Sequence, residues 1–152
     1  MNESRILSID PSGTGTTGLF FTNDSQKEFY QCQNTSWKDH LTFIINLIKE
    51  KQPNLILYED TNYIHRKTKD GLSLFRLLGA LESLSSFFTL EINSVNVLKV
   101  KELSKKLLAR TEQITNLEYL QGRGKGWMFN NKRVSIHQLE AYLVYYLFTR
   151  KI

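Results

Sequence analysis

The chain has 152 residues, 41% of them hydrophobic, and a formal net charge of +5 at pH 7. This size predicts one domain, residues 1–152, with a core that needs no disulfide or structural metal to hold it together. Its single cysteine, Cys32, excludes an internal disulfide. No charged-then-apolar leader precedes the first predicted strand and no apolar run reaches the length of a membrane span, so we expect a cytoplasmic protein.

The positive charge is clustered. More than half of the Lys and Arg residues lie in three segments, 65–69, 99–110 and 121–133. Such clustering favours a polyanionic partner such as nucleic acid. The alternative is that the three segments are ordinary solvated surface.

The first half of the chain predicts four strands and a helix. Residues 6–10 form an apolar run that ends on Asp10 and is stopped by Pro11, which is typical of a buried central strand. Residues 17–23 and 27–33 are β-rich runs joined by tight turns, so the sheet should begin with three antiparallel strands. Helical spacing over 37–51, with Ser36 as its cap, precedes a fourth strand over 54–59 that should run parallel to the first.

The second half is more mixed. Residues 72–88 predict a helix whose apolar stripe is broader than one sheet contact requires, so a second subunit is expected to cover it. A fifth strand over 90–97 and a basic helical segment over 99–110 follow. The glycine-rich stretch 121–129 reads as an irregular loop.

The closing helix carries a polar pair inside an apolar face. Ser135 and Gln138 form a capping box, so the helix should begin at residue 136. A projection of residues 136–150 places His137 and Glu140 within the broad apolar side. Gln138, Tyr142, Tyr145, Thr149 and Arg150 fall on the opposite side. A His and a Glu directed at the sheet must be paired or bind a ligand, unless the His is satisfied by a carbonyl and Glu140 reaches solvent.

The predicted strand ends and this helix bring Asp10, Glu59, His137 and Glu140 toward one edge of the sheet. Crowded carboxylates repel one another, and a divalent cation relieves that repulsion. Oxygen ligands with one imidazole suit Mg²⁺, with Mn²⁺ as a substitute, better than a structural zinc. Two such ions can activate water and stabilise the leaving oxygen during phosphodiester cleavage, so these four residues are the predicted metal ligands and catalytic residues.

The basic segments would then hold the phosphate backbone, while aromatic residues among them, Phe129 included, can stack on unpaired bases or act as loop anchors. The predicted DNA contacts are Tyr63, Arg66, Lys67, Lys69, Lys105, Arg123, Lys125, Trp127, Lys132 and Arg133.

Three motifs carry a family resemblance: Ile-Asp-Pro-Ser at 9–12, Leu-Tyr-Glu at 57–59 and His-Gln-Leu-Glu-Ala at 137–141. With the order of the strands, they make the chain similar to the RuvC-type Holliday junction resolvases of the ribonuclease H-like superfamily. The resemblance implies a mixed five-stranded α/β sheet flanked by helices and resolution of Holliday junctions by a homodimer formed through the 72–88 helix. It assigns the metal ligands to Asp10, Glu59, His137 and Glu140, and the aromatic wedge at the crossover to Tyr63. The last carboxylate is Glu140 where the bacterial enzymes usually have Asp, which indicates a divergent phage-type member.

Other functions fit parts of the sequence. Residues 10–16 resemble the first phosphate loop of actin-like ATPases and sugar kinases, but those folds need two lobes and this chain supplies one. Within the nuclease class, the alternative is a less selective enzyme that cuts flaps, forks or three-way junctions. A non-catalytic DNA-binding subunit of the same fold is the third alternative.

Overall fold

The computed structural model describes residues 3–60 and 68–150. Five strands form the main sheet: β1 (Ile6–Asp10), β2 (Thr16–Thr22), β3 (Lys27–Gln33), β4 (Leu55–Asp60) and β5 (Glu91–Asn96). Their spatial order is β3-β2-β1-β4-β5. β2 pairs antiparallel with both β1 and β3, whereas β4 is parallel to β1 and β5 is parallel to β4. This is the mixed five-stranded sheet that the sequence predicted.

In the part of the chain that the structure describes, four helices cover the two faces of this sheet: α1 (Trp37–Lys51), α2 (Lys69–Ser83), α3 (Val97–Leu108) and α4 (Ile136–Arg150). Strand alternation divides the core into two layers. Leu7 and Ile9 of β1 pack with α1 and α2, in a cluster that includes Ile44 and Leu77. The even-numbered residues of β1 face the other way, toward α4 and α3, and Ile6 lies in a cluster with Leu139 and Leu103. No helix within the described ranges is both long and apolar enough to cross a membrane.

The helix predicted over 72–88 has different bounds. α2 begins earlier because the side chain of Thr68 caps it by accepting a hydrogen bond from the Gly71 N–H at 3.0 Å. It ends at Ser83, and a single 3₁₀ turn (Leu84–Ser86) follows. Phe87 therefore lies beyond the helix and is 76% exposed. The α1 helix has the predicted bounds, although the Ser36 side chain forms no capping hydrogen bond.

The prediction of an irregular loop over 121–129 is wrong for its second half. A second, three-stranded antiparallel sheet is formed by β6 (Leu117–Leu120), β7 (Gly126–Phe129) and β8 (Lys132–Val134). Trp127 and Phe129 alternate into the core and are only 6% and 4% exposed. Burial of these two rings outweighs the turn preference of the preceding glycines, and only residues 121–125 remain a turn.

The capping box at the start of α4 is confirmed. The Gln138 N–H donates to Ser135 Oγ at 3.1 Å, and the Ser135 N–H donates to Gln138 Oε1 at 3.0 Å. The prediction that Tyr142 faces away from the core is wrong, because the second sheet covers that side of the helix. The Tyr142 ring is buried with its centroid 4.8 Å from that of Phe129.

Candidate metal centre

The strand-end acids meet at one edge of the main sheet. Asp10 is the last residue of β1, and Glu59 is the penultimate residue of the parallel strand β4. Because side chains alternate along a strand, Glu59 shares a face with Leu57, which packs in the α3 and α4 layer. Asp60 falls on the other face with Tyr58, where burial, the Glu82 carboxylate and Asp60 raise the pKa of the Tyr58 hydroxyl. Glu59 is thus the β4 acid on the same side as Asp10.

The N-terminal end of α4 lies unusually close to the sheet. The Ser8 hydroxyl on β1 donates to the Ala141 carbonyl of α4 at 2.6 Å, in a fully buried contact. Gly18, which pairs with Asp10 across β1 and β2, has no side chain to hold the helix away. A Cβ at that position would lie 2.1 Å from the His137 carbonyl oxygen, so the helix passes where a side chain would otherwise be.

This approach brings residues of α4 against the end of β1. One potential ligand atom from each of Asp10, His137 and Glu140 lies within 4.8 Å of the others. His137 Nδ1 is 3.2 Å from Asp10 Oδ2. The Asp10 side chain is 10% exposed and the His137 side chain is 40% exposed, so the group sits at the sheet edge with access from solvent.

The carboxylates repel one another in this partly buried setting. Burial, followed by the charges of Asp10 and Glu140, raises the pKa of Glu59 to about 8. Burial and the Asp10 carboxylate raise the pKa of Glu140 to about 7. The hydrogen bond that the His137 imidazole donates to the Asp10 carboxylate raises the pKa of the imidazole, because it stabilises the protonated ring. Glu59 and Glu140 therefore keep their protons to higher pH than ordinary glutamates do.

One atom of the site has no hydrogen-bond partner among the described residues. Glu59 Oε2 is buried and accepts no hydrogen bond there. A buried carboxylate oxygen without a partner is costly, and a cation is the ligand that satisfies it. Glu59 lies outside the group of ligand atoms within 4.8 Å of one another, but it is close enough for the charges of Asp10 and Glu140 to raise its pKa. The two carboxylates and one imidazole of that group fit Mg²⁺ or Mn²⁺, since these ions prefer hard oxygen ligands.

A cation that the sequence reasoning missed lies near the acids. The charge of Lys101 on α3 lowers the pKa of both Glu59 and Glu140, opposing the effects of burial and of the other acids. From the basic segment 99–110, the sequence predicted Lys105 as the DNA contact instead. α3 starts where β5 ends, so its first turns lie nearest the edge of the sheet where the acids meet. This place in the chain could have indicated Lys101 as the lysine near the acids.

The predicted DNA contacts divide into four groups. Lys69, Lys105, Arg123, Lys125 and Lys132 are exposed, as the prediction requires. Trp127 is buried with its ring centroid 5.1 Å from that of Tyr119, so it occupies the loop-anchor role rather than presenting a face to bases. Arg133 is exposed, but its guanidinium donates to the Gly124 and Lys125 carbonyls. Tyr63, Arg66 and Lys67 lie outside the described residues.

Comparison with solved structures identifies the fold. RuvC of Thermus thermophilus in complex with a Holliday junction substrate aligns with a TM-score of 0.64 at 11% identity, covering 97% of this chain and 96% of that one. A Pseudomonas aeruginosa protein with similarity to the peptidase YeaZ aligns at 0.54 and 9% identity, covering 97% and 93%. The large terminase nuclease of the thermophilic phage G20c aligns at 0.53 and 8% identity, covering 96% and 82%.

No protein-family model matches the sequence, and no curated protein matches it. The structural likeness shows that the chain has a ribonuclease H-like fold. At the edge of its sheet lies a group of acidic and imidazole side chains that could hold a metal ion. At these identities the likeness establishes the fold alone, and that fold occurs both in nucleases and in a YeaZ-like protein.

Proposed function

We propose that this protein is a metal-dependent endonuclease that cleaves branched DNA and resolves Holliday junctions as a homodimer. The observation that carries the proposal is the buried, unpartnered Glu59 Oε2 near Asp10 and Glu140, because a bound cation relieves the repulsion among these acids and gives that oxygen a partner. The fold shared with a junction-bound RuvC and with a phage nuclease domain supports the same reaction class.

The residues of the site would have three roles. Asp10, Glu59 and Glu140 would hold two Mg²⁺ ions, which supply Lewis-acid stabilisation of the phosphate and a nucleophilic water when bound. His137, held by its hydrogen bond to Asp10, completes the ligand set or orients the attacking water. Lys101 places a positive charge beside the acids, where the negatively charged phosphate must enter.

The test is cleavage of a synthetic four-way DNA junction by single-residue variants in Mg²⁺. Asp10→Asn, Glu59→Gln and Glu140→Gln should each abolish cleavage, because each removes a carboxyl group that would hold the metal, while DNA binding should stay equal or become tighter, because a neutral amide does not repel the polyanion. Asp60→Asn is the matched control on the same strand. It should cost little activity because Asp60 lies on the opposite face of β4 from Glu59.

Other results of this cleavage test would contradict particular parts of the proposal. An inactive Asp60→Asn with an active Glu59→Gln would contradict the assignment of the β4 ligand. Equal cleavage of flaps, forks and three-way junctions would make the protein a less selective nuclease, and junction binding without cleavage would make it a non-catalytic DNA-binding subunit. Cleavage that persists in excess chelator would overturn the metal mechanism.

A further inference from the structure

The turn between β6 and β7 lies at the same end of the fold as the acids. β7 and β8 are antiparallel, with Trp127 opposite Val134. The start of β7 and the turn before it, residues 121–125, therefore lie beside Ser135, where α4 begins with His137 in its first turn. The β7–β8 turn lies at the other end. There the Nζ of Lys27 is 5.9 Å from the centroid of the Phe129 ring. Lys27 starts β3 opposite Thr22, which pairs with Ile6 at the end of β1 remote from Asp10.

This turn, which we call the 121–125 turn, has a defined backbone. The Lys125 N–H donates to the Gly122 carbonyl at 3.1 Å and closes a four-residue β-turn. Gly124 at its third position has a φ of 72°, which a type II turn requires and which glycine adopts without strain. The turn is therefore a formed element, and all of its residues are exposed.

Arg133 holds the turn from the neighbouring strand. Its Nη2 donates to the Gly124 carbonyl at 2.6 Å and its Nη1 donates to the Lys125 carbonyl at 3.0 Å. A Cβ on Gly126 would lie 2.6 Å from Arg133 Nη1, so a glycine there leaves room for the guanidinium. Two hydrogen bonds of the Arg133 guanidinium are thus made inside the protein, and they fix its position against the turn.

Arg123 and Lys125 remain as the two exposed cations of the turn. Within residues 3–60 and 68–150, neither has an ion-pair partner. Both lie at the end of the second sheet where α4 brings His137 and Glu140 to Asp10. A strand of nucleic acid whose phosphate reaches those acids would carry its neighbouring phosphates past this turn.

From these contacts we infer that the 121–125 turn binds the phosphate backbone of the strand that enters the carboxylate site. Arg123 and Lys125 are the contacting cations, and Arg133 is a positioning residue that acts through the turn. This inference rests on the proposed nuclease function. It also predicts a smaller contribution to DNA binding from Lys132, because Lys132 follows the β7–β8 turn at the end of the second sheet remote from the acids.

The test measures binding of a synthetic four-way DNA junction in excess chelator at several salt concentrations. Arg123→Ala and Lys125→Ala should each lower the slope of log affinity against log salt by about one, since each removes one phosphate contact. Lys49→Ala is the matched control, because Lys49 is an exposed lysine in the last turn of α1. It should leave the slope unchanged, and Lys132→Ala should lower it less than the two turn variants do.

A double-mutant comparison tests Arg133. Arg133→Ala should weaken binding in the wild-type background but add little to the Arg123→Ala, Lys125→Ala double variant, because its effect passes through those residues. An additive loss would instead make Arg133 a direct phosphate contact. Urea unfolding of each variant separates these effects from a general loss of stability, which would weaken binding in both backgrounds equally.

Failure of this inference is distinguishable from failure of the proposed function. If the wild-type protein cleaves the junction in Mg²⁺ while Arg123→Ala and Lys125→Ala keep the full salt slope, the inference is overturned and the nuclease proposal stands. If the wild-type protein binds no junction DNA at any salt concentration, both are overturned.

Discussion

At the scale of single residues, the decisive property of this protein is that Glu59 and Glu140 are acids in surroundings that disfavour their charge. Burial and mutual repulsion raise the pKa of Glu59 to about 8 and that of Glu140 to about 7. In an unfolded chain both titrate near the ordinary glutamate value of 4.5. Folding and protonation of the site are therefore linked.

The sign of this linkage predicts how stability varies with pH. A carboxyl with a raised folded-state pKa stabilises the fold fully below its unfolded pKa, and this contribution is lost as the pH rises through the folded pKa. His137, whose pKa is also raised, acts in the same direction at higher pH. In chelator, urea unfolding should therefore give a lower free energy of unfolding at about pH 8.5 than at about pH 6.

Excess Mg²⁺ should remove most of this difference, because it binds the deprotonated ligands. The Glu59→Gln variant is the control and should show a weaker pH dependence in chelator than the wild type. A wild-type protein that is equally stable at both pH values in chelator would show that the acids do not repel one another as described.

At the scale of secondary structure, the site depends on how closely α4 approaches β1 and β2. The Ser8 hydroxyl, the absence of a side chain at Gly18 and the capping box at Ser135 together set the position of the first turns of α4. His137 and Glu140 reach Asp10 only because the helix lies at this depth.

Gly18→Ala tests this arrangement, because the added methyl group would overlap the His137 carbonyl and push the helix outward. We expect a loss of stability of about 1–3 kcal/mol and a weaker affinity for Mg²⁺, measured by urea unfolding and calorimetry. Gly79→Ala on α2 is the matched control, since a Cβ there meets nothing within 4 Å, and its Mg²⁺ affinity should be that of the wild type.

If Gly18→Ala does not fold, Ser8→Ala offers a milder test, because it removes only the hydrogen bond to Ala141, at a cost of about 1 kcal/mol. Wild-type Mg²⁺ affinity in a folded Gly18→Ala protein would contradict a positioning role for this close approach.

At the scale of the whole molecule, the exposed apolar surface of α2 bears on assembly. Leu72 is 40% exposed and Phe75 is 48% exposed, and Gly79 lies one turn further on the same side of the helix. Large exposed apolar side chains gathered on one helix face are typical of an interaction surface. This supports the proposed homodimer, in which two carboxylate sites would act on the two strands of a junction.

Leu72→Glu should convert this dimer to a monomer, measured by sedimentation velocity at micromolar concentration. Leu98→Glu is the control, because Leu98 is 71% exposed on α3, away from the α2 face, and the same substitution there should leave the dimer intact. A wild-type protein that stays monomeric with and without four-way DNA would refute assembly through α2.

Much of this protein is encoded in contiguous residues. Strand and helix periods, the stop at Pro11 and the capping box at Ser135 and Gln138 are local patterns, and they predicted the mixed sheet, its parallel β4 and the start of α4. They also predicted that Asp10, Glu59, His137 and Glu140 lie at one edge, because parallel strands end together and a capped helix begins at a definite residue. The structure brings the ligand atoms of Asp10, His137 and Glu140 within 4.8 Å of one another.

Other features arise only between residues that are far apart in the chain. Ser8 and Ala141 are separated by 133 positions, and no local pattern reveals that Gly18 must lie under the His137 carbonyl. The burial of Trp127 and Tyr142 depends on a second sheet that covers α4. The sequence did not predict this sheet, because the glycines of residues 121–129 are typical of a loop. The raised pKa of Glu59 and the influence of Lys101 are sums of burial and charge over several elements, and such sums exist only once the chain is packed.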